Sequence, residues 1–307
     1  MGKPFQSELH ALPSTYKWAL EQSIDKPCFF TRNCHSLPLY TIGSGGSFTA
    51  AIFASSFHQY TGTISKCITP LEFMSNDYLS GDYGVLILTA GGRNSDILTC
   101  FTKAAQSEPR CLLGVCMLSD TPLSQIAKKY SFADIAEYDI PSGKDGFLAT
   151  NSLIAMSVIL ARAYIETYDL TFTLPASLEK LVCPKGTIEE FASDILDHVE
   201  KILNKKTLVI LYDSWTKAAA YDMESKFSES GIANIQLADF RNFAHGRHNW
   251  LDKNKDDTGI IALTSSTSRI LSQRLLDLVP KGMPAVQFNS RQTGPLASLD
   301  LLVTTMY

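Results

Sequence analysis

Residues 85–95 read VLILTAGGRNS, and residues 260–268 read IIALTSSTS. Each stretch is an apolar run typical of a buried strand, and each ends in a turn of small and hydroxyl-bearing residues. Thr89 corresponds to Thr264, 175 positions later, and Pro122 corresponds to Pro295, 173 positions later. Because this period is longer than that of solenoid repeats, it predicts two copies of one α/β domain.

Length and composition are those of an ordinary globular protein. The chain has 307 residues, of which 45% are hydrophobic and 19% charged, and such a length favours about two domains. The formal net charge of −4 argues against a nucleic-acid partner, which would require a basic surface. The longest apolar stretch, residues 147–164, contains several polar residues and therefore predicts a buried helix rather than a membrane span.

The seven cysteines have no paired spacing and are predicted to be buried thiols. Reduced thiols are typical of cytoplasmic proteins. The first ten residues, MGKPFQSELH, lack the apolar core of a secretory signal. A cytoplasmic location is therefore expected.

Alternating strand and helix patterns place the first copy at residues 39–180, after a helical segment at 1–38 with one short helix near residues 14–23. The second copy occupies residues 187–307 and opens with a helix that has a capping box at its start. Each copy is predicted to be an αβα three-layer sandwich around a mostly parallel five-stranded sheet. The predicted strands are 39–42, 63–68, 85–89, 111–117 and 134–138, then 207–212, 232–237, 259–264, 284–288 and 299–305. The predicted helices between them are 47–59, 95–106, 122–129, 146–168, 216–230 and 268–278.

The second copy stops just after its last predicted strand, so we expect it to lack the final helix of the first copy. Either the chain is a piece of a longer protein, or it covers the exposed sheet face by oligomerising.

Two loops follow predicted strands in the first copy and could hold a ligand. Gly43-Ser44-Gly45-Gly46-Ser47 ends one strand and opens a helix, a combination of glycines and helix N–H groups that suits an anion. A dinucleotide fingerprint fits poorly, because Phe48 stands where its third glycine would be, and a plain tight turn remains an alternative. The second loop, Thr89 to Asp96, offers hydroxyls, an amide and Arg93, although Asn94 or Ser95 could simply cap a helix.

From about Thr41 onward the chain resembles tandem sugar-isomerase (SIS) domain proteins. The resemblance rests on Gly45-Gly46-Ser47, on Leu71-Glu72-Phe73, on Pro122 to Ala127, and on Thr89 to Asp96, which is similar to the family's Ser-x-Ser-Gly-x-Thr/Ser-x-Asp turn. It implies that a sugar phosphate is bound by both loops, through the residues Gly45, Gly46, Ser47, Thr89, Gly92, Arg93, Asn94 and Ser95.

A second group of candidate residues lies in the second copy. Asp222, Lys226 and Glu229 are spaced to share one helix face, which by itself fits a solvated surface with one ion pair as well as a site. The isomerase domain of glucosamine-6-phosphate synthase has a Lys-x-x-Glu helix followed sixteen residues later by His-Gly, and here His245 and Gly246 follow Glu229 at that distance.

The resemblance implies a role for each of these residues. Glu229 would move a proton between C1 and C2 through an enediol, His245 would open the sugar ring, and Lys226 would assist. In that family the histidine comes from the partner subunit, which implies a homodimer with a shared active site. No cofactor is required. No metal is predicted either, because His245 and His248 have no third ligand at helical or strand spacing.

The sequence therefore leaves two functions open. One is an aldose–ketose isomerase, or a deaminase or deglycase acting on an amino-sugar or fructosamine phosphate. The other is a non-catalytic sensor that binds a sugar phosphate in the same pocket. The presence of Lys226, Glu229 and His245 favours the enzyme. Gly91, at a position where the family usually has serine, favours the sensor, and so does the absence of the family's C-terminal lysine tail. Activity could also depend on a longer polypeptide.

Overall fold

The computed structural model describes residues 3–77, 81–183 and 186–307. The chain divides into two compact units, Met1–Leu178 and Glu179–Tyr307, called unit 1 and unit 2 below. In the described part of the chain, no helix is long and apolar enough to cross a membrane. Six of the seven cysteines are buried, as predicted, and Cys67 is half-buried.

Unit 1 has a five-stranded sheet in the order β2-β1-β3-β4-β5, and all of its strand pairs are parallel. Its elements are α1 (Phe5–Glu21), α2 (Asp25–Asn33), β1 (Leu39–Ile42), α3 (Gly46–Tyr60), β2 (Ser65–Ile68), α4 (Pro70–Met74), β3 (Gly81–Thr89), α5 (Ser95–Gln106), β4 (Pro109–Cys116), α6 (Pro122–Ala127), β5 (Ala133–Glu137), α7 (Asn151–Thr167) and α8 (Leu178–Val182), whose last residues lie in unit 2.

Residues 3–38 contain two helices rather than the one predicted, and both pack on α7. Helix α3 covers α7 from another side, so almost every residue of α7 from Asn151 to Tyr164 is buried. The predicted helix 146–168 begins only at Asn151 because the residues before it form a loop that caps the helix.

Unit 2 has a four-stranded parallel sheet in the order β7-β6-β8-β9. Its elements are α9 (Ile188–Leu203), β6 (Thr207–Tyr212), α10 (Lys217–Glu229), β7 (Asn234–Asp239), α11 (Phe240–Asn242), a π-helical segment (Phe243–Arg247), α12 (Asn249–Asn254), β8 (Thr258–Thr264), α13 (Arg269–Leu276), β9 (Ala285–Asn289) and α14 (Leu296–Thr304). The capping box at Thr187 and Glu190 is present as predicted.

The prediction of a fifth strand at residues 299–305 is wrong, because these residues belong to α14 and to the turn after it. All nine residues of α14 are buried, and periodicity cannot separate a short buried helix from a buried strand. Helix α14 packs on α10 as α7 packs on α3 in unit 1. The second copy therefore ends in a helix, contrary to expectation.

Candidate functional site

A cavity of about 560 Å³ opens at the carboxyl ends of the strands of unit 1. This edge is where open α/β sheets bind ligands. Six of the eight predicted ligand residues line it, namely Gly46, Ser47, Thr89, Gly92, Arg93 and Asn94. The other two lie outside the lining, where Gly45 is the N-cap residue of α3 and Ser95 is the first residue of α5.

The loop between β1 and α3 is tightly packed against its surroundings. A Cβ atom on Gly43 would lie 2.2 Å from the backbone oxygen of Ser47, and one on Gly46 would lie 2.1 Å from Cβ of Ala149. Gly45 has φ of +53°, a conformation that favours glycine, and no side chain caps α3. The loop thus brings an uncapped helix end, with Gly46 and Ser47, to the wall of the cavity.

The loop between β3 and α5 is held by its own side chains. Thr89 Oγ1 accepts a hydrogen bond from the N–H of Gly92 at 3.2 Å, and Asn94 Oδ1 accepts one from the N–H of Asp96 at 2.8 Å. The capping role that the sequence left open for Asn94 is therefore confirmed. Gly92 has φ of +58°, and a Cβ there would lie 2.7 Å from Thr121 Oγ1, so this turn also requires glycine.

Sequence reasoning missed the third wall of the cavity, which is the loop before α7. Asp145 accepts hydrogen bonds from the N–H groups of Thr150, Asn151 and Ser152, each at 3.1 Å, and so caps the long helix. In the sequence, Asp145 is a possible capping residue ahead of an apolar helix, but it lies five residues before Thr150, which occupies the cap position.

The charged side chains of the cavity differ in whether they already make hydrogen bonds or ion pairs within the protein. Asp145 is engaged by α7, and Asp139 accepts bonds from Oγ of Ser119 at 2.6 Å and from its N–H at 3.0 Å, which hold the pKa of Asp139 below its usual range. Arg93 and Lys144 also line the cavity, and neither has an ion-pair partner in the described part of the chain. The lining therefore carries two cations and two carboxylates, and the carboxylates already accept hydrogen bonds from the protein, whereas the cations remain as donors to an anion.

Of the three residues predicted to share one helix face in unit 2, two form an ion pair and the third, Glu229, is exposed. Asp222 and Lys226 form a buried ion pair, with side chains 3% and 12% exposed. Burial raises the pKa of Asp222, and the nearby Lys226 opposes this effect. Glu229 is exposed on the same helix and accepts a hydrogen bond from Ser225 Oγ at 2.7 Å.

His245 lies in the π-helical segment, where Gly246 has φ of +116° and breaks the helix. The His245 side chain is exposed, and in the described part of unit 2 it makes neither a hydrogen bond nor an ion pair with Glu229. Also in the described part of the chain, no three His, Cys, Asp or Glu side chains are grouped so as to hold a metal ion.

Comparison with protein-family models and with curated protein sequences finds no match. Solved structures do match over nearly the whole chain. Tagatose-6-phosphate ketose/aldose isomerase from Escherichia coli is 16% identical, with a TM-score of 0.76 over 100% of this chain and 93% of that one. Glucosamine-6-phosphate deaminase from Thermotoga maritima is 15% identical, with a TM-score of 0.71 over 98% and 91%.

The C-terminal domain of glucosamine-fructose-6-phosphate aminotransferase from Francisella tularensis is 14% identical, with a TM-score of 0.70 over 99% of this chain and 95% of that one. At these identities the likeness concerns the fold. The likeness runs through both units, and it agrees with the two parallel sheets and with the resemblance carried by the sequence motifs. The chain therefore has the tandem fold of sugar-isomerase (SIS) domain proteins.

Proposed function

We propose that the cavity of unit 1 binds the phosphate group of a phosphorylated sugar. The observation that carries the proposal is the N-terminus of α3, which lies at the cavity without a side-chain cap, whereas Asn94 caps α5 and Asp145 caps α7. The N–H groups of Ser47 and Phe48 already donate to backbone carbonyl oxygens, so this end offers a phosphate the N–H of Gly46 and the dipole of the helix. Ser44, Ser47 and Thr89 place hydroxyl groups around the same opening.

The charges of the cavity support the same ligand class. Arg93 and Lys144 lie in its lining without an acidic partner in the described part of the chain. A hydrogen bond from such a cation to a phosphate oxygen is worth about 1.5–3 kcal/mol. A phosphate at the α3 terminus could accept hydrogen bonds from both cations, which the cavity carboxylates Asp139 and Asp145 do not engage in the described part of the chain.

For the reaction we propose a proton transfer between C1 and C2 of the open-chain sugar, with Glu229 as the base. The carboxylate takes the proton from C2 and leaves an enediolate with its charge on O1, O1 then takes the proton of the O2 hydroxyl, and the carboxylic acid returns its proton to C1 as the C2 carbonyl forms, so that an aldose becomes a ketose. Lys226, held by Asp222, would supply positive charge near the enediolate. His245 would donate a proton to the ring oxygen as the hemiacetal opens.

The proposal extends to a homodimer that shares its active site. Glu229 and His245 are both exposed in unit 2, and their spacing matches a family pattern in which the histidine serves the neighbouring subunit. Gly246 allows the chain to turn directly after His245. A deaminase or deglycase would use the same first step, because loss of an amine from C1 or C2 also begins with proton removal at that carbon pair.

Deuterium incorporation tests the reaction. The full chain is incubated in heavy water with a panel of aldose, ketose and amino-sugar phosphates, and deuterium at C1 and C2 is measured by NMR. We expect exchange with the wild type and a loss of about 10²–10⁴-fold in Glu229→Gln. Glu224→Gln is the matched control, because Glu224 lies on the same helix and also accepts a hydrogen bond from a serine, Ser228, at 3.1 Å.

The outcomes separate the two functions. Equal exchange in Glu229→Gln and in the wild type would exclude Glu229 as the base. A panel member that binds the wild type without any exchange would favour the non-catalytic sensor, which the exposed position of Glu229 also fits. If no member of the panel or inorganic phosphate binds unit 1, the proposed ligand class is wrong.

A further inference from the structure

The two sheets have matching hydrogen-bond registers. In unit 1, Leu39 on β1 lies opposite Gly84 on β3, and in unit 2, Leu208 on β6 lies opposite Gly259 on β8. Matching these Leu–Gly pairs aligns β3 with β8 at an offset of 175 residues, which is the offset of the sequence repeat. The same match aligns β1 with β6 at an offset of 169 residues, so Asp213 of unit 2 takes the place of Ser44 in unit 1.

Ser44 and Asp213 therefore occupy equivalent positions at the carboxyl end of the two sheets, but their surroundings differ. Ser44 lies in the lining of the cavity in unit 1. Asp213 Oδ1 instead accepts hydrogen bonds from the N–H groups of Trp215 at 2.7 Å and of Thr216 at 3.1 Å, just before α10. Its Oδ2 accepts from the N–H of Ser265 at 2.9 Å, from the Ser265 hydroxyl at 2.7 Å and from the Ser268 hydroxyl.

These donors are of the kinds that surround the cavity of unit 1. They are backbone N–H groups just before α10, together with the N–H of Ser265 and two hydroxyl groups in the loop after β8. At the offset of 175 residues, Ser265 and Ser268 correspond to Ala90 and Arg93, so unit 1 has the backbone N–H positions and the Arg93 guanidinium where unit 2 has hydroxyls. Five donors on two oxygens are what a cradle for two oxygens of a phosphate or sulfate would provide. In unit 2 the carboxylate of Asp213 already uses all five.

We propose that Asp213 is an internal substitute for a bound oxyanion, and that it closes in unit 2 the anion cradle that stays open in unit 1. The chain then has one phosphate site, in unit 1, and a latent second site that appears when the Asp213 carboxylate is removed. The statement about unit 1 rests on the proposed function, whereas the statement about unit 2 does not.

The register match provides a reciprocal pair of substitutions. Asp213→Ser gives unit 2 the residue that unit 1 has at this position, and it should open the latent site. Ser44→Asp gives unit 1 the carboxylate of unit 2, and it should fill the cavity from within. Asp256→Ser is the matched control in unit 2, because Asp256 is exposed and its replacement removes the same charge.

The probe is inorganic phosphate, titrated calorimetrically into each full-length variant against chloride of equal ionic strength. We expect one phosphate per chain for the wild type and for Asp256→Ser, two for Asp213→Ser, none for Ser44→Asp and one for the double variant. We also expect Asp213→Ser to lose thermal stability in chloride and to regain it in phosphate. If this variant does not fold in chloride, refolding in phosphate is the readout.

Two results would overturn the proposal. One is an Asp213→Ser chain that takes up no additional phosphate and gains neither stability nor refolding from it. The other is a folded Ser44→Asp chain that binds phosphate as well as the wild type does. If the wild type binds no phosphate, the proposed function of unit 1 fails, but uptake of one phosphate by Asp213→Ser would still support the latent site.

Discussion

Replacing Gly46 with alanine should destabilise unit 1 and disturb the cavity. The added Cβ would lie 2.1 Å from Cβ of Ala149, which is much closer than a normal van der Waals contact. Helix α3 and the loop before α7 must therefore separate by more than about 1 Å. Such overpacking costs about 1–3 kcal/mol, and the helix gains at most about 1 kcal/mol from replacing glycine by alanine. We therefore expect a net loss of about 1–2 kcal/mol, with a Tm lower by about 2–4 °C per kcal/mol.

Two further variants make the reasoning specific. Gly91→Ala also lies in the cavity lining, but no atom lies within 4 Å of the added Cβ, so its stability should stay within about 0.5 kcal/mol of the wild type. In Gly46→Ala combined with Ala149→Gly, the offending Cβ is removed and the stability should largely return. Thermal unfolding and phosphate titration measure both effects. The reasoning is refuted if Gly46→Ala is as stable as Gly91→Ala, or if Ala149→Gly restores nothing.

Three other predictions concern stability. Burial raises the pKa of Asp222, so this carboxyl group binds a proton more tightly in the folded protein than in the unfolded chain. Acidification from pH 7 to about pH 4 should therefore stabilise the wild type relative to Asp222→Asn. Equal slopes of unfolding free energy against pH for the two proteins would contradict this. Leu299→Ala in the buried helix α14 should cost about 2–5 kcal/mol in urea unfolding, whereas Leu278→Ala, at a residue 85% exposed, should cost less than about 0.5 kcal/mol. Thr187→Ala removes a capping box and should cost about 1 kcal/mol; a change below a few tenths would show that the box is not formed.

Where the sequence carries a strong local signal, the prediction and the structure agree. Helix α5 has the predicted bounds, 95–106, because Asn94 caps it and apolar residues recur along one face. Strand β6 likewise matches residues 207–212, since an unbroken apolar run followed by Asp213 is typical of a buried parallel strand. The repeat of the Thr89 turn at Thr264 predicted the two-unit organisation, and both turns do end matching strands.

The failures have a common physical cause, which is that the deciding neighbours are distant in sequence. The sequence of α14 predicts a strand because burial on all sides, against α10 and its other neighbours, removes the polar face that identifies a helix. The loop before α7 has no periodicity, and its part in the cavity depends on contact with Gly46, about 100 residues earlier.

The fold class, the repeat, most helices and strands, and the two glycine-rich turns of unit 1 can be predicted from the amino-acid sequence, because they depend on local pattern and backbone geometry. Whether the turn after the first strand of each unit is open or filled depends on contacts that form only in the folded chain. Ser44 and Asp213 follow equivalent strands, and both residues look like ordinary loop residues in the sequence. Their difference appears only when the sheet brings Ser265 and Ser268 within hydrogen-bonding distance of the Asp213 carboxylate, since a charge is satisfied by whatever donors the fold places around it.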